Sequence, residues 1–342
     1  MTARANGRRR PPTIHDVARE AGVSRGTVSR FLNGGHYVSP AAGRAVADAI
    51  RKTGYVVNRH ARSLSTGRSD SVAFLLTEPQ EKLFEDPNFN VLLRGCTENL
   101  ARHDIPLLLM LAASDGDRRR LTRYLTAGHV DGVLLVSSHS GDPVAAELRS
   151  AGMPLVACGK PMGLGARVSY VAADDRDGAR ELVRHLVARG RRRIGMITGP
   201  LDLPGGTDRL AGYREVLTEA GLPYDPALVA EGDYRRASGE RAARRLLDQA
   251  PDMDAVFVAS DLMAQGVVNA LHLLGRSIPG DIAVGGFDDS PAAVAVTPAL
   301  TTVRQPFERI STEMVRMLLA QIAGEDTAGV VLPTELVVRD ST

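Results

Sequence analysis

The chain has 342 residues, of which 44% are hydrophobic, and 42 Lys and Arg residues nearly balance 40 Asp and Glu residues. This length is enough for two or three domains with buried cores, and a net charge of +2 excludes a polycation. Cys96 and Cys158 lack paired or metal-ligand spacing and the eight histidines are scattered, which argues against a disulfide framework and a metal site. The N-terminal residues show no apolar segment of the signal-peptide or membrane-spanning type, so a cytoplasmic protein without a cofactor or membrane contact is expected.

Positive charge is concentrated near the N-terminus. Residues 1–68 are rich in arginine and contain three acidic residues, Asp16, Glu20 and Asp48. A basic segment beside a charge-balanced remainder is typical of a nucleic-acid-binding module joined to a second domain. Residues 1–12 are interpreted as a disordered basic tail that precedes this module.

The next segment, TIHDVAREAGVSRGTVSRFLNG, predicts two short helices joined by a turn. Thr13 can cap the first helix, and Gly22 suits the left-handed conformation that ends it. Ser24 can cap the second helix, in which Val28 and Leu32 recur at helical spacing on the inner face. This arrangement is a helix-turn-helix, whose second helix enters the major groove of DNA.

A third helix is predicted to begin at Ser39-Pro40, so that residues 13–57 form a small all-α helix-turn-helix domain. Val46, Ile50 and Tyr55 are expected to close its core. The alternative is a three-helix bundle that docks a protein. The outward face of the second helix favours DNA, because arginine, serine and threonine there suit phosphates and base edges.

These residues, together with VSP and NRHARSL further along, resemble the DNA-binding domain of the LacI/GalR family of bacterial transcription repressors. The resemblance continues through nearly the whole chain. It implies that Arg25 and Gly26 choose the operator bases, that Arg30 adds a base contact, and that Arg25 carries most direct readout because Gly26 has no side chain. The positions that the resemblance assigns mostly to phosphates are Thr13, Ser24, Thr27, Ser29, Asn33, Tyr37 and Ser39.

Residues 58–70 contain an isolated leucine among arginines, and the resemblance gives it a role. In this family the segment becomes a short hinge helix on DNA, and the two hinge helices of a homodimer lie in the minor groove of a pseudo-palindromic operator. Leu64 matches the leucine that wedges between base pairs, with Ala61 packing nearby and Asn58 opening the segment. Val57 stands where the family often has proline, which loosens the entry to this helix.

Residues 71–342 alternate apolar β-type runs with helical stretches, beginning with VAFLL at 72–76. This alternation predicts parallel sheets with right-handed crossovers, and about 270 residues favour two Rossmann-like lobes. The resemblance implies a fold like that of periplasmic sugar-binding proteins. Its lobes would comprise 71–168 with 299–323 and 169–298 with 324–342, and the chain would cross near Ser169 and Pro298.

The chain lacks the short motifs that mark nucleotide-binding, serine-hydrolase and zinc-protease sites, so an enzyme on a Rossmann-like scaffold is disfavoured. A transport-type binding protein is a second rival, but it would have a signal peptide and no helix-turn-helix. Asp174-Asp175 is interpreted as a helix N-cap. Asp288 ends an apolar strand, at the edge where parallel sheets bind ligands, and Arg209 is placed in the first turn of a helix after a glycine-rich loop.

By resemblance, Arg209 and Asp288 form a polar clamp on an effector between the lobes. Tyr234 and Phe89 match aromatic positions that contact it, and Asp261 lies beside the ligand or braces it. A sugar effector is expected, with a purine or another small metabolite acting as co-repressor as the alternative. A further alternative is that Arg209 and Asp288 pair with each other as a strut between the lobes.

Overall fold

The computed structural model describes residue 10 and residues 12–32, 38–55, 68–163 and 168–342. The chain divides into two compact units, 1–69 and 70–342, so the second unit begins one residue before the expected effector domain. Within the described ranges no helix combines the length and apolar composition that a membrane crossing requires. Some residues predicted to contact DNA lie outside the described ranges: Asn33, Tyr37, Asn58, Ala61 and Leu64.

The described part of the first unit contains three helices: α1 (Ile14–Ala21), α2 (Arg25–Leu32) and α3 (Pro40–Thr53). The carboxylate of Asp16 accepts hydrogen bonds from the backbone and hydroxyl of Thr13 at 2.9 and 2.7 Å, which fixes the start of α1 and lowers the pKa of Asp16. Gly22 ends α1 at φ 65°, the left-handed geometry expected of it. Ser39 caps α3 by accepting from the backbone of Ala42.

The core of this unit is where the apolar spacing predicts it. Val17, Val28 and Val46 are completely buried, and each comes from a different helix. The partly buried side chains that pack around them are Ile14, Ala21, Val23, Phe31, Leu32, Ile50 and Tyr55. The helix-turn-helix prediction is therefore confirmed for the described part of the unit.

The second unit has two lobes, each built on a six-stranded sheet. The first sheet is parallel throughout, in the order β11 (Val330–Leu332), β5 (Ser169–Ala173), β4 (Leu155–Cys158), β3 (Gly132–Val136), β1 (Val72–Leu76), β2 (Leu107–Leu111). The second has the order β12 (Glu335–Val337), β10 (Thr301–Arg304), β9 (Ala283–Asp288), β8 (Ala255–Val258), β6 (Ile194–Thr198), β7 (Val229–Glu231). Its edge strand β12 is antiparallel to β10, and the other pairs are parallel.

Helices cover both faces of each sheet, as parallel sheets require. They are α4 (Gln80–Glu85), α5 (Pro87–Ala101), α6 (Asp115–Tyr124), α7 (Val144–Ser150), α8 (Asp175–Ala188), α9 (Pro204–Glu219), α10 (Arg236–Gln249), α11 (Asp261–Leu273), α12 (Pro291–Val294) and α13 (Phe307–Ile322). Helices α5 and α13 pack on one face of the first sheet and α7 on the other. In the second lobe, α8 and α9 cover one face, and α10 and α11 the other.

The lobe boundaries expected from the resemblance are wrong by several residues. Strand β5 pairs with β4 in the first sheet, so the chain leaves the first lobe after Ala173 and not near Ser169. Strand β10 pairs with β9 in the second sheet, so the return follows Arg304 and not Pro298, and the third crossing lies between β11 and β12. Strands β5 and β10 contain polar residues such as Ser169 and Thr301, so their composition resembles that of loops and they were not predicted as strands.

Two glycines allow α10 and α11 to pack closely. A Cβ on Gly266 would overlap the carbonyl oxygen of Arg236, and one on Gly239 would overlap that of Met263. Backbone atoms cannot move aside as a flexible side chain can. Gly266→Ala should therefore lower the free energy of unfolding by about 1–3 kcal/mol, measured by urea denaturation.

The matched control is Gly116→Ala in α6. A Cβ there would meet Ser114 Oγ at 3.7 Å, an ordinary contact at an exposed position. Its free energy of unfolding should change by less than about 1 kcal/mol. An equal loss in both variants would contradict the close-packing explanation.

Candidate functional site

The outer face of α2 is the candidate DNA-reading surface. Arg25, the first residue of the helix, is exposed together with Gly26 and Arg30, whereas Val28 is buried. Ser29 is half-buried. The structure therefore presents the side chains predicted to read bases to solvent, on the face opposite the core.

Several hydroxyl groups assigned to phosphate contacts also stabilise helix ends. Ser24 Oγ accepts from the backbone of Thr27 at 3.1 Å and lies 2.9 Å from its hydroxyl. Thr13 and Ser39 cap α1 and α3, as described above. Arg30 Nε donates to the carbonyl oxygen of Gly26 at 3.2 Å, which holds this guanidinium along its own helix. Arg25 remains the stronger candidate for a base contact.

The second candidate site is a cavity between the two lobes of the second unit. Its walls come from the carboxyl ends of β1, β3, β4 and β5 in the first sheet and of β8 and β9 in the second, with residues of α4, α5, α9 and α13. In each sheet the order of strands reverses at the middle, between β1 and β3 and between β6 and β8. Open parallel sheets bind ligands at such places, because the diverging loops leave a crevice there.

Arg209 is the central cation of the cavity, and its side chain is held in one orientation. Its Nε and Nη2 atoms donate to Asp175 Oδ1 at 2.8 and 2.7 Å, and Nη1 donates to the carbonyl oxygen of Ala259. The guanidinium carbon lies 3.8 Å from the ring centre of Phe287, within cation–π range. A fixed guanidinium can bind a ligand without the entropy cost of ordering a long side chain.

The helix that carries Arg209 begins earlier than predicted. Residues 204–206, Pro-Gly-Gly, form the first turn of α9, so Arg209 lies in its second turn. Proline suits the first helical position, and a Cβ on Gly206 would overlap the carbonyl oxygen of Pro200. The glycines therefore permit close backbone contact at the helix start and do not form a free loop.

Asp288 faces the same cavity but is not the partner of Arg209. Among the described residues, the ion-pair partner of Arg209 is Asp175, and Asp288 Oδ1 accepts a 2.6 Å hydrogen bond from Gln305 Nε2. Both Arg209 and Asp288 belong to the second lobe, so the alternative of a strut between lobes is wrong. Burial raises the pKa of Asp288 well above its usual value, although the charge of Arg209 opposes this. Burial thus favours the protonated form of Asp288, and a protonated carboxyl group can both donate to and accept from a ligand hydroxyl.

Aromatic side chains complete the cavity. Tyr234 and Phe89, both expected from the sequence, line it from opposite lobes, and Phe307 joins them. Tyr234 adopts φ 66° and Asp288 φ 118°, which side chains other than glycine rarely do. Strained backbone of this kind concentrates at binding sites, where the surrounding structure holds it in place.

The sequence missed several polar residues of the cavity. They are Glu78, Lys82, Asp86, Asp175, Ser260 and Gln305. Asp174 does cap α8, as predicted, by accepting from the backbone of Asp177 at 3.0 Å, but its neighbour Asp175 was not recognised as the partner of Arg209. Burial raises the pKa of Asp86 to about 6. A signal for Glu78 was available, since it follows a fully buried parallel strand.

Asp261 is not among the residues that line the cavity, so of the two roles expected for it the structure favours bracing the site over direct contact with the ligand. Its side chain is fully buried at the start of α11, and its oxygens accept from Thr302 Oγ1 at 2.6 Å and from the backbone of Ser290 at 2.8 Å. Burial raises its pKa to about 7. Asp261 thus ties the ends of β8, β9 and β10 together and supports the wall that carries Asp288.

Comparison with known proteins matches the N-terminal unit and much of the second unit to known families. Residues 13–58 match bacterial regulatory proteins of the lacI family, and residues 183–342 match the periplasmic binding protein-like domain. The HTH-type transcriptional regulator CelR of Thermobifida fusca is 46% identical over 337 residues, which span 98% of this chain and 99% of CelR.

Two solved structures are similar along nearly the whole chain. A complex of the transcriptional regulator CelR with cellobiose has a TM-score of 0.79 and 44% identity, and the match covers 97% of this chain and 100% of that one. A lac repressor dimer bound to operator and the anti-inducer ONPF has a TM-score of 0.86 and 26% identity, covering 97% and 99%. With this degree of identity to CelR over almost its full length, the chain belongs to the LacI family of bacterial transcription regulators.

Proposed function

We propose that this protein is a cytoplasmic repressor that binds a pseudo-palindromic operator as a homodimer and leaves it when cellobiose, or a closely related small saccharide, enters the cavity between the lobes. The observation that carries the proposal is the cavity itself, in which a fixed guanidinium, a buried carboxyl group and aromatic rings meet. Aromatic faces pack against the apolar C–H face of a sugar ring, and polar side chains form hydrogen bonds with its hydroxyl groups.

The charges of the cavity support a ligand rich in hydroxyl groups. The guanidinium of Arg209 is already paired with Asp175, and the acidic residues of the lining outnumber its Lys and Arg residues by five to three, so the site does not favour an anionic ligand. Asp86, Asp288 and Gln305 instead provide oxygen and nitrogen atoms that suit neutral donors and acceptors. The resemblance to CelR, whose structure was solved with cellobiose, makes that disaccharide the first ligand to test.

Operator binding is supported by α2 and by the relatives. The lac repressor was solved as a dimer on its operator, and this chain has the same helix-turn-helix with Arg25, Gly26 and Arg30 exposed. Two copies related by a twofold axis read two half-sites, which is why the operator should be a palindrome. The hinge segment around Leu64 is proposed to contact the centre of that site, as the sequence resemblance implies.

The test begins with the DNA sequence. Selection from random duplexes should recover a palindromic site, and fluorescence anisotropy at fixed salt then gives the operator affinity with and without saturating cellobiose. We expect cellobiose to weaken operator binding at least tenfold, because a ligand that favours one lobe arrangement shifts the population of the other.

Asp288→Asn is the matched variant, since it keeps the size of the side chain but replaces one carboxyl oxygen with an NH2 group that cannot accept a hydrogen bond. This variant should bind the operator normally and respond weakly to cellobiose. An increase in operator affinity with cellobiose would make the sugar a co-repressor. A response to a purine base and not to cellobiose would overturn the sugar proposal in favour of a purine.

A further inference from the structure

A histidine connects the two lobes beside the effector cavity. His139 follows β3 in the first lobe, and its imidazole lies between two carboxylates. The Nε2 atom is 3.1 Å from Glu78 Oε1, at the end of β1 in the same lobe, and Nδ1 is 2.8 Å from Asp202 Oδ2. Asp202 precedes α9 in the second lobe. The ring therefore bridges the lobes.

This geometry fixes the number of protons on the ring. An ionised carboxylate only accepts hydrogen bonds, and a neutral imidazole has one N–H donor. Because both ring nitrogens contact carboxylate oxygens, both contacts are favourable when both nitrogens carry a hydrogen. The bridge thus requires the imidazolium form.

Glu78 is kept ionised by its other partners. Ser137 Oγ donates to Glu78 Oε1 at 2.7 Å, and Lys82 Nζ lies 3.0 Å from Oε2. Burial of Glu78 opposes its ionisation, but hydrogen bonding by His139 and the charge of Lys82 outweigh burial and lower the pKa of this carboxyl group. A proton shared between the two groups therefore stays on the histidine.

The charged groups around the His139 imidazole also favour its protonated form. Hydrogen bonding to Glu78 raises the pKa of His139 despite partial burial, and Asp202 adds to the effect. The other charged groups around the adjacent groove are Asp115, Arg118, Arg119, Asp142 and Glu147. Arg118 is paired with Asp115 and Asp142 at 2.9 and 3.4 Å, so its charge is balanced. Among the described residues no group of side chains is arranged to hold a metal ion. The carboxylates of Glu78 and Asp202 contact the imidazole directly.

The bridge belongs to a docked surface between the lobes. The backbone N–H of Ser140 donates to the carbonyl oxygen of Asp202 at 2.7 Å, and Arg235 of the second lobe lies 3.3 Å from Glu85 of the first. Glu78 also lines the effector cavity, so the bridge and the ligand share a side chain. Opening the lobes would separate His139 from Asp202.

We propose that His139 is a positioning residue of the effector site, which as an imidazolium holds the lobes closed and Glu78 in place, so that closure on the ligand is linked to uptake of a proton. This inference rests on the proposed function for the identity of the ligand. The link gives the sensor a dependence on pH near neutrality, where imidazole titrates.

The sign of the dependence follows from the raised pKa. The contribution of the bridge is complete below the usual imidazole pKa of 6.5 and is lost as pH rises through the raised value of the closed form. Ligand affinity should therefore fall with rising pH above 6.5, by at most about tenfold per pH unit for one proton.

The first measurement begins without ligand. Imidazole NMR of the full chain without ligand, in which closed molecules form part of the population, should place the pKa of His139 above 6.5. Asp202→Asn should lower this pKa by removing the second carboxylate, and saturating cellobiose should raise it further in the wild type. The resonance is assigned by its loss in His139→Gln. A pKa at or below the usual value that does not respond to Asp202→Asn would overturn the bridge.

The second measurement is calorimetric titration with cellobiose in buffers of different ionisation enthalpy. Asp86 and Asp288 can also exchange protons on binding, so the informative quantity is the difference between wild type and His139→Gln. Glutamine keeps one donor and one acceptor but does not titrate. We expect His139→Gln to take up fewer protons than wild type on binding cellobiose, by up to one per ligand at neutral pH. Its affinity for cellobiose should also change less with pH.

His103→Gln, an exposed histidine of the first lobe, is the control and should match wild type. Equal proton uptake and equal pH slopes in wild type and His139→Gln would overturn the proposal. If cellobiose gives no binding at any pH while the pKa of His139 is raised and depends on Asp202, the sugar assignment fails and the bridge stands.

Discussion

Arg209→Ala should abolish cellobiose binding and lower the free energy of unfolding of the second unit by about 3–5 kcal/mol, the usual loss when one partner of a buried ion pair is removed. The side chains of Arg209 and Asp175 are 7% and 14% exposed, so the remaining carboxylate would be left in a largely buried place without its cation. The stack on Phe287 would be lost as well. Urea denaturation and calorimetric titration measure the two effects separately.

A double-mutant cycle identifies the cause of the instability. If the isolated charge of Asp175 is responsible, Asp175→Asn combined with Arg209→Ala should be more stable than Arg209→Ala alone. Arg244→Ala is the control, because Arg244 pairs with Glu240 at 3.0 Å on the surface and its removal should cost less than about 1 kcal/mol. Arg209→Ala with normal stability and normal cellobiose affinity would exclude this cavity as the ligand site.

Arg25→Ala should weaken binding to the selected operator by about 1–3 kcal/mol per half-site and relax the preference at one base position. The exposed side chain at the start of α2 can reach a base edge, and its guanidinium matches the two acceptors of guanine. Arg30 is less suited to this, since its Nε atom donates to the carbonyl oxygen of Gly26. Anisotropy titrations against the operator and its single-base variants measure the change.

The control is Arg19→Ala, at the end of α1, where the side chain is 81% exposed. This variant should leave base preference unchanged, because a charge that interacts only with the phosphate backbone changes the affinity for all DNA sequences alike. If Arg25→Ala weakens the operator and unrelated duplexes by the same factor, Arg25 contacts phosphate and base readout lies elsewhere on α2.

Local sequence patterns were sufficient for the DNA-binding unit. Thr13, Gly22 and Ser39 occupy the helix ends predicted for them, and Val17 and Val28 lie in the core. Capping and helical spacing act over three or four residues, so they can be recognised without knowing the rest of the fold. The apolar run that precedes Asp288 likewise predicted that this residue lies at the end of a buried strand.

The lobe boundaries could be assigned only from the pairing of strands within the two sheets. Strands β5 and β10 are short and begin with polar residues, Ser169 and Thr301, so their composition does not distinguish them from loops. What makes them strands is pairing on both sides, of β5 with β4 and β11 and of β10 with β9 and β12. Strand formation depends on such partners more than on intrinsic preference.

Residue patterns and the resemblance they carry were enough to predict the family, the helix-turn-helix and the two-lobed fold, and also Arg209, Asp288, Tyr234 and Phe89, which meet in one cavity. The contacts that these residues make could be seen only in the packed fold. It paired Arg209 with Asp175 across 34 positions of the chain, withdrew Asp261 into the supporting wall, and placed His139 against Asp202 across 63. Side-chain partners at such separations are chosen by how the strand ends converge, and that convergence is a property of the packed sheets.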